Sequence, residues 1–365
     1  MSDSLFRAPS ADDLDARPYS ERNTAAIRSS APERSVISSA PEMDAPALDC
    51  TQSFLNLLST HFLICNDKIK GDGEDSGIEA YTRDVGIIGA FDGCGGLGAK
   101  CCPAVSDRTE AYLASRAVGA AVKRWFYANA AAKGNWSLEE LRGNIDSNLD
   151  LCQRNSGDSG LRLRGSLVRP FPTTMAMVRF QIVDRKLVTE HIWAGDSRTY
   201  LLDKRGLAQV SVDDVQNQDA MSNLTNDGAL TNVISADKQY VLHHATIVPK
   251  HPCIFFCASD GCFGYVSSPM EFEHMILQTL MESDSIIQWK QKLSDAIYER
   301  AGDDQTIAIA AFGFETFTDF KAYYMGRYSV MHQLVQTYEQ SDQEQRQRLW
   351  EAYRPGYYRH IADKE

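Results

Sequence analysis

No apolar run in the 365-residue chain is long enough to cross a membrane as a helix, which takes roughly 18 residues or more. The opening stretch, MSDSLFRAPSADDLDARPYSE, has no apolar core of the signal-peptide kind. C-x-x-C does not occur, and the nine cysteines are odd in number and scattered. That excludes the usual redox and paired zinc motifs and argues against a disulfide framework. A basic surface is also missing. Lys and Arg total 37 against 49 Asp and Glu, a formal net charge of −12. Broad nucleic-acid binding needs the opposite balance. These absences predict a cytoplasmic protein with no membrane or nucleic-acid partner. What remains is ordinary for a globular protein: 43% hydrophobic residues, enough for a substantial core.

The composition divides the chain in three. Residues 1–48 are rich in Ser, Ala, Pro, Asp and Arg, with SSAPE repeated at 29–33 and 38–42. They read as a disordered tail, either passive or phosphorylated at serines near arginines. Residues 49–316 carry globular patterns. VGIIGAF (85–91) is an apolar run of strand length. A helix is expected over about 104–132. A second follows Ser137, with Glu140 at capping-box spacing and an apolar stripe from Leu138 to Cys152. TTMAMVRFQI, LVTEHIWA, RTYLLD and LAQVSV are then joined by links of two to four residues. Links this short join antiparallel strands, so a meander in one antiparallel sheet is expected. Residues 211–239 read as a polar flap or loop. Strand CIFFCASDG (253–261), two helices with Ser268 and Gly302 as terminal signals, and strand DDQTIAIAAFGF follow. The class is α+β, helices covering antiparallel sheets. Residues 317–365 form a C-terminal helical extension, helical over 327–352 and stopped by Pro355.

One loop, GAFDGCGGLGAKCC (89–102), raises three chemistries. It contains G-x-G-x-x-G, yet a dinucleotide fold needs a second parallel strand where this chain turns to hairpins. A Walker loop fails because Ala99 separates Gly98 from Lys100. Cys94, Cys101 and Cys102 lack zinc spacing and a nearby histidine. A nucleophilic Cys94 would need a cradling arginine, and none occurs in the next thirteen residues. What the loop shares with the rest of the chain is its aspartate. GAFDG, WAGDSR and CASDG each end a strand on Asp (Asp92, Asp196, Asp260), and GDDQT begins one with Asp303 and Asp304. Each alone is an ordinary turn. Gathered at one sheet edge they would repel, and hard divalent cations would relieve it.

The ordered blocks GEDSG (73–77), GAFDGCGG, PTTMAMV (172–178), WAGDSRTYLL (193–202), CASDGCFGYVS (257–267) and AGDDQTIAIAAF (301–312) resemble the metal-dependent Ser/Thr protein phosphatases of the PPM family (type 2C), bacterial in type. The likeness spans roughly residues 60–315. It implies a four-layer α-β-β-α sandwich of two antiparallel sheets. It also implies two Mn²⁺ or Mg²⁺ ions sharing a bridging hydroxide that attacks phosphoSer or phosphoThr without a phospho-enzyme. Carried over, Asp92 bridges the ions, the Gly93 carbonyl binds one, and Asp260 and Asp303 bind the other. Asp303 is preferred to Asp304 because the family's ligand comes first in that pair. Glu74 and Asp75 match an acidic pair that holds metal-bound waters. Asp196 matches a position assisting a third, weaker ion, or is simply the aspartate of its turn. Lys70 stands near the family's phosphate-binding Arg, or is a solvated lysine.

Two departures stand out. Cys94 replaces a His that many eukaryotic members use to protonate the leaving group, and is read here as a small residue in a tight turn. Gly264 replaces an extra Asp of some members, against a third ion. Expected partners are phosphorylated proteins, a cognate Ser/Thr kinase and its targets, with the chain monomeric. The C-terminal extension packs on the domain or serves as a docking arm. The rival reading is a pseudophosphatase, a binding or sensing scaffold with the same fold.

Overall fold

Residues 47–51, 53–130, 136–156, 169–217, 219–224 and 228–361 are described in the computed structural model. The N-terminal tail read from the sequence falls almost wholly outside them. One sheet runs β1 (Leu58–Asn66), β12 (Gln305–Phe312), β11 (Cys253–Ala258), β8 (Arg198–Asp203), β9 (Gly206–Gln209) in spatial order. The other runs β10 (His243–Ile247), β7 (Lys186–Ala194), β6 (Met175–Val183), β3 (Val85–Phe91), β2 (Ser76–Tyr81). Every neighbouring pair in both is antiparallel. A two-stranded ribbon, β4 (Cys101–Cys102) with β5 (Arg108–Thr109), stands apart.

The sheets stack through Ile88, Ala90, Val178, Phe180, Phe255, Ala310 and Phe312. The alternate residues of the second sheet, among them Ile87, Phe91, Met175 and Met177, pack on α2 (Glu110–Asn129) and α3 (Leu138–Asn155). The first sheet's outer face meets α6 (Pro269–Met281), α7 (Ile286–Tyr298), α8 (Phe317–Gln340) and α9 (Gln343–Tyr357). Single-turn helices α1 (Phe54–Leu57), α4 (Ala220–Asn223) and α5 (Asp260–Phe263) complete the set. This four-layer order explains why VGIIGAF is apolar throughout. Both faces of β3 are covered, so all seven residues are buried and no polar alternation survives.

Helix starts follow the side chains that satisfy their first amides. Ser137 accepts from Glu140 N at 3.4 Å and Ser268 from Glu271 N at 3.2 Å. The return half of the second box is displaced by one residue: the Glu271 carboxylate accepts from Ser267 N at 2.7 Å. Helix α2 begins at Glu110 rather than near 104, because Arg108 and Thr109 pair with the two cysteines and Thr109 caps the helix.

Three other expectations change. The strands from Met175 to Gln209 are not one sheet. β6 and β7 form a hairpin in one sheet and β8 and β9 in the other, and the chain crosses at Gly195–Ser197. Short links report antiparallel neighbours, but a tight corner between stacked sheets is just as short. Gly195 takes φ +93, and a Cβ there would strike Thr174 at 2.6 Å. The described residues of the 211–239 stretch include the short helix α4 and are held by bridges from Val215 to Leu230 and from Thr173 to Ile234. The C-terminal region holds two helices that part at Ser341, where Asp342 and Gln345 form a capping box, and Pro355 lies inside α9 rather than ending it.

Candidate metal centre

Register brings the acidic residues to one end of the sandwich. Ser76, next to Asp75, pairs with Phe91, next to Asp92. Ala258, two before Asp260, pairs with Ile307 of β12 on one side and Arg198 of β8 on the other. Ala194, two before Asp196, closes β7 beside the start of β6. Antiparallel pairing thus sets strand ends from both sheets against the strand starts of their neighbours. Asp75, Asp92, Asp196, Asp260 and Asp303 gather there although the chain scatters them.

The gathering is visible in their electrostatics. Burial first, and then Asp260, Asp75, Asp196 and Asp303, hold Asp92 well above the usual carboxylate range. Burial, then Asp260 and Asp213, do the same to Asp196, with Arg198 opposing. Asp75 is pushed up to about 8, by burial and then by Asp260 and Asp304, against a bond from Ser259. Glu74 is raised by burial, then by Asp304 and Asp303, with a Thr109 bond working against them. Without a counter-charge, burial and the neighbouring carboxylates favour the protonated forms of these groups.

Each carboxyl has its own supports, and most were invisible in the sequence. The Asp92 carbonyl accepts from Thr174 N at 2.8 Å and Thr173 Oγ1 at 2.6 Å, so the two threonines of PTTMAMV fix it. Ser259 Oγ donates to Asp75 Oδ2 at 2.7 Å and accepts from Thr306 N at 2.9 Å. Asp304 accepts from Lys68 N at 2.8 Å and Glu74 N at 2.7 Å, and so is occupied in ordering the loop after β1. Its exposed neighbour Asp303 is the one of the two whose charge reaches Asp92, while both act on Glu74. Arg116 donates to the carbonyls of Gly73 and Glu74, and Arg108 to that of Gly71. Lys70 is exposed.

Two readings gain a physical account. Gly93 must be glycine for a reason the loop pattern does not show. A Cβ would lie 2.7 Å from the carbonyl oxygens of Ala111 and Glu74. At Asp196, holding the turn is the work of Asp214, which accepts from Gly195 N at 2.9 Å. Asp196 Oδ1 is buried and meets no hydrogen-bond donor.

The residues suit a divalent cation on two grounds. The donors are hard carboxylate oxygens, which select Mg²⁺ or Mn²⁺ over softer ions. Asp196 Oδ1 is buried without a hydrogen-bond partner while the Asp260 charge weighs on it, a deficit that a cation would relieve. No group of three His, Cys, Asp or Glu among the described residues is already drawn together as an ion site. A cavity of about 510 Å³ lies elsewhere, lined by Arg142, Lys238 and Tyr240 among others, and touches this region only through Asp214. Cys94 is no thiolate: burial first, then the charges of Asp92 and Asp196, push its thiol far up.

The sequence matches no family model and no curated protein. Solved structures do match. One is a bacterial serine phosphatase, 18% identical over 71% of this chain and 99% of its own, with a TM-score of 0.52. Another is the serine/threonine phosphatase Stp1 from Staphylococcus aureus, 19% identical over 71% and 96%, with a TM-score of 0.50. The chain has the PPM phosphatase fold. In this PPM fold the two helices α8 and α9 follow β12, the last strand of the sandwich.

The packing at this end is tight enough to test. A Cβ on Gly261 would lie 1.9 Å from Asp304 O, a backbone atom that cannot step aside. Gly261→Ala should therefore cost about 1–3 kcal/mol, the range of a forced backbone shift, read as the midpoint of urea unfolding. An unchanged midpoint would show that α5 moves freely.

Proposed function

We propose that the chain is a metal-dependent serine/threonine protein phosphatase of the PPM family. The observation that carries this reading is the convergence of five aspartates from separate strands of both sheets, three of which, Asp75, Asp92 and Asp196, are held above the usual carboxylate range by burial and then by neighbouring carboxylates. A cluster that costly to assemble has a use when cations bind it. Asp92, the Gly93 carbonyl, Asp260 and Asp303 would hold two Mn²⁺ or Mg²⁺ ions, with Asp196 available to a third. Bound, such ions acidify water and neutralise phosphoryl charge.

The chain's own residues then have defined work. Asp75, oriented by the Ser259 hydroxyl, and Glu74, pinned through its amide to Asp304, would hold waters bound to the ions. Thr173 and Thr174 fix the main chain at Asp92 through its carbonyl. The Cys94 thiol, protonated, supplies no nucleophile. Phosphorylated proteins are the substrates this reading assigns, with a cognate kinase as the opposing activity.

The test is hydrolysis of p-nitrophenyl phosphate and of a phosphothreonine peptide, with and without Mn²⁺, in the wild type and Cys94→Ser. Turnover that requires Mn²⁺ and survives Cys94→Ser within about threefold is expected, since a turn residue contributes little to the barrier. Metal-free turnover that disappears with Cys94→Ser would replace this reading by thiol chemistry. No turnover at any metal concentration would favour a binding scaffold.

A further inference from the structure

The C-terminal helix α9 reaches the loop that frames Asp196. Tyr358 Oη accepts from Ala220 N at 2.7 Å, and Trp350 Nε1 donates to Asp219 Oδ2 at 3.2 Å. Arg354 Nη1 lies 3.8 Å from the same Asp219 oxygen. Tyr357 Oη meets Tyr200 Oη at 3.4 Å, and Tyr200 accepts from Arg198 Nη1 at 3.2 Å. Trp350 and Tyr357 are buried, so these contacts are built into the core and are no surface accident.

The loop just before Asp219 grips the turn on both sides of Asp196. Asp214 accepts from Gly195 N, and Asp214 N donates to Gly195 O at 3.0 Å. Asp213 forms a buried pair with Arg198, Nη2 to Oδ2 at 2.6 Å. Gln209 adds a bond to the same aspartate at 2.8 Å. Asp196 is thus bracketed at 195 and 198 by two adjacent loop residues, and α9 anchors that loop at 219 and 220. Asp214 is held as well by Thr231 N to its carbonyl at 2.8 Å, by Asn232 Nδ2 at 2.7 Å and by His243, and Val215 bridges to Leu230; at 219 and 220 the contacts come from α9 and its C-terminal Tyr358.

We propose that α9 with its C-terminal Tyr358 is a positioning element of the acidic centre: Trp350 and Tyr358 hold Asp219 and Ala220, and Tyr357 and Tyr200 the Arg198 side chain, so that Asp213 and Asp214 fix the turn carrying Asp196. The consequence for catalysis rests on the metal-centre reading; the mechanical link does not. Small changes on a helix far down the chain therefore alter the turn at 195–198.

Tyr358→Phe removes one hydroxyl and Trp350→Phe one N–H, while both keep a ring in place. Hydrogen exchange is read on the metal-free proteins. Amides at Gly195 and Asp214 should exchange about 10-fold faster in each variant, with β3 and β6 unchanged, as local opening requires. The Mn²⁺ concentration for half-maximal hydrolysis should rise about 10-fold, with kcat at saturating Mn²⁺ within about twofold, the pattern of a residue that orients a ligand. Val330→Ser, on an exposed position of α8, should move neither quantity. Unchanged exchange at Gly195 would overturn the proposal. So would equal acceleration at Gly195 and throughout β3, which marks general destabilisation. Should the wild type show no turnover, the phosphatase reading fails, and selective exchange at Gly195 would still support the link.

Discussion

Asp92→Asn is expected to abolish metal-dependent hydrolysis and, at the same time, to make the metal-free protein more stable. The two effects have one cause. Asp92 sits among Asp260, Asp75, Asp196 and Asp303, and its charge is resisted by burial and by all four. Asparagine keeps the shape and is neutral without having to bind a proton in the metal-free protein. Activity should fall by more than about 100-fold, beyond the 10–100-fold cost of losing a residue that merely orients a ligand. The metal-free melting temperature should rise by about 2 °C or more, the size of a one-kcal/mol relief in a domain this large. A drop in metal-free stability would mean that the aspartates are not in conflict.

The wild type supplies the pH arm of the same experiment. Asp75, with its folded value raised to about 8, binds its proton more tightly folded than unfolded. A group raised on folding contributes stability that is complete below the unfolded pKa of about 3.9 and lost as pH climbs through the folded value. In EDTA the melting temperature should therefore fall as pH rises from about 4 towards 8. Saturating Mn²⁺ should flatten or reverse that slope, because cations favour the ionised carboxylates.

Arg327→Met is the second large effect, and it concerns stability alone. Glu273 of α6 is fully buried and bonded by Arg327 of α8 at 2.6 and 2.8 Å and by Tyr353 of α9 at 2.6 Å. Burial by itself would raise the Glu273 carboxyl. The charge and bonds of Arg327, with the Tyr353 hydroxyl, outweigh that and leave it below the ordinary range. Burial likewise works against the Arg327 charge, and Glu273 overcomes it. Removing the arginine strands a buried carboxylate at a cost of about 3–5 kcal/mol. Pairing it with Glu273→Gln should recover much of the loss, as measured by urea unfolding. The depressed carboxyl contributes above its unfolded pKa of about 4.3 and ceases to as pH falls through the folded value. The gap between wild type and Arg327→Met should then narrow in acid. A gap that stays constant down to pH 3 would show that Glu273 is not the residue at stake.

These helices show where local pattern stops being informative. Composition marks residues 317–365 as rich in Tyr, Gln, Glu and Arg, and their helicity is legible from spacing. That Glu273, Arg327 and Tyr353 meet is not, because the three lie on helices whose crossing depends on the finished sandwich. The same holds for Asp304. Its place beside Asp303 suggested a ligand or its neighbour, and only the approach of the 68–74 loop assigns it to backbone amides.

Strand periodicity, the Ser and Thr helix caps, and the run of strand ends on aspartate are local properties, and the sequence alone carries them. From these came the antiparallel layers and the acidic residues at Asp92, Asp196, Asp260 and Asp303, while Asp75 came from the family resemblance alone. The corner at Gly195, the division of the strands between two sheets, and the Ser259 hydroxyl joining Asp75 to Thr306 belong to the tertiary structure. Each depends on which distant backbone happens to pass nearby. Hydrogen bonds reach about 3 Å, and no spacing along a chain specifies a meeting across more than a hundred residues.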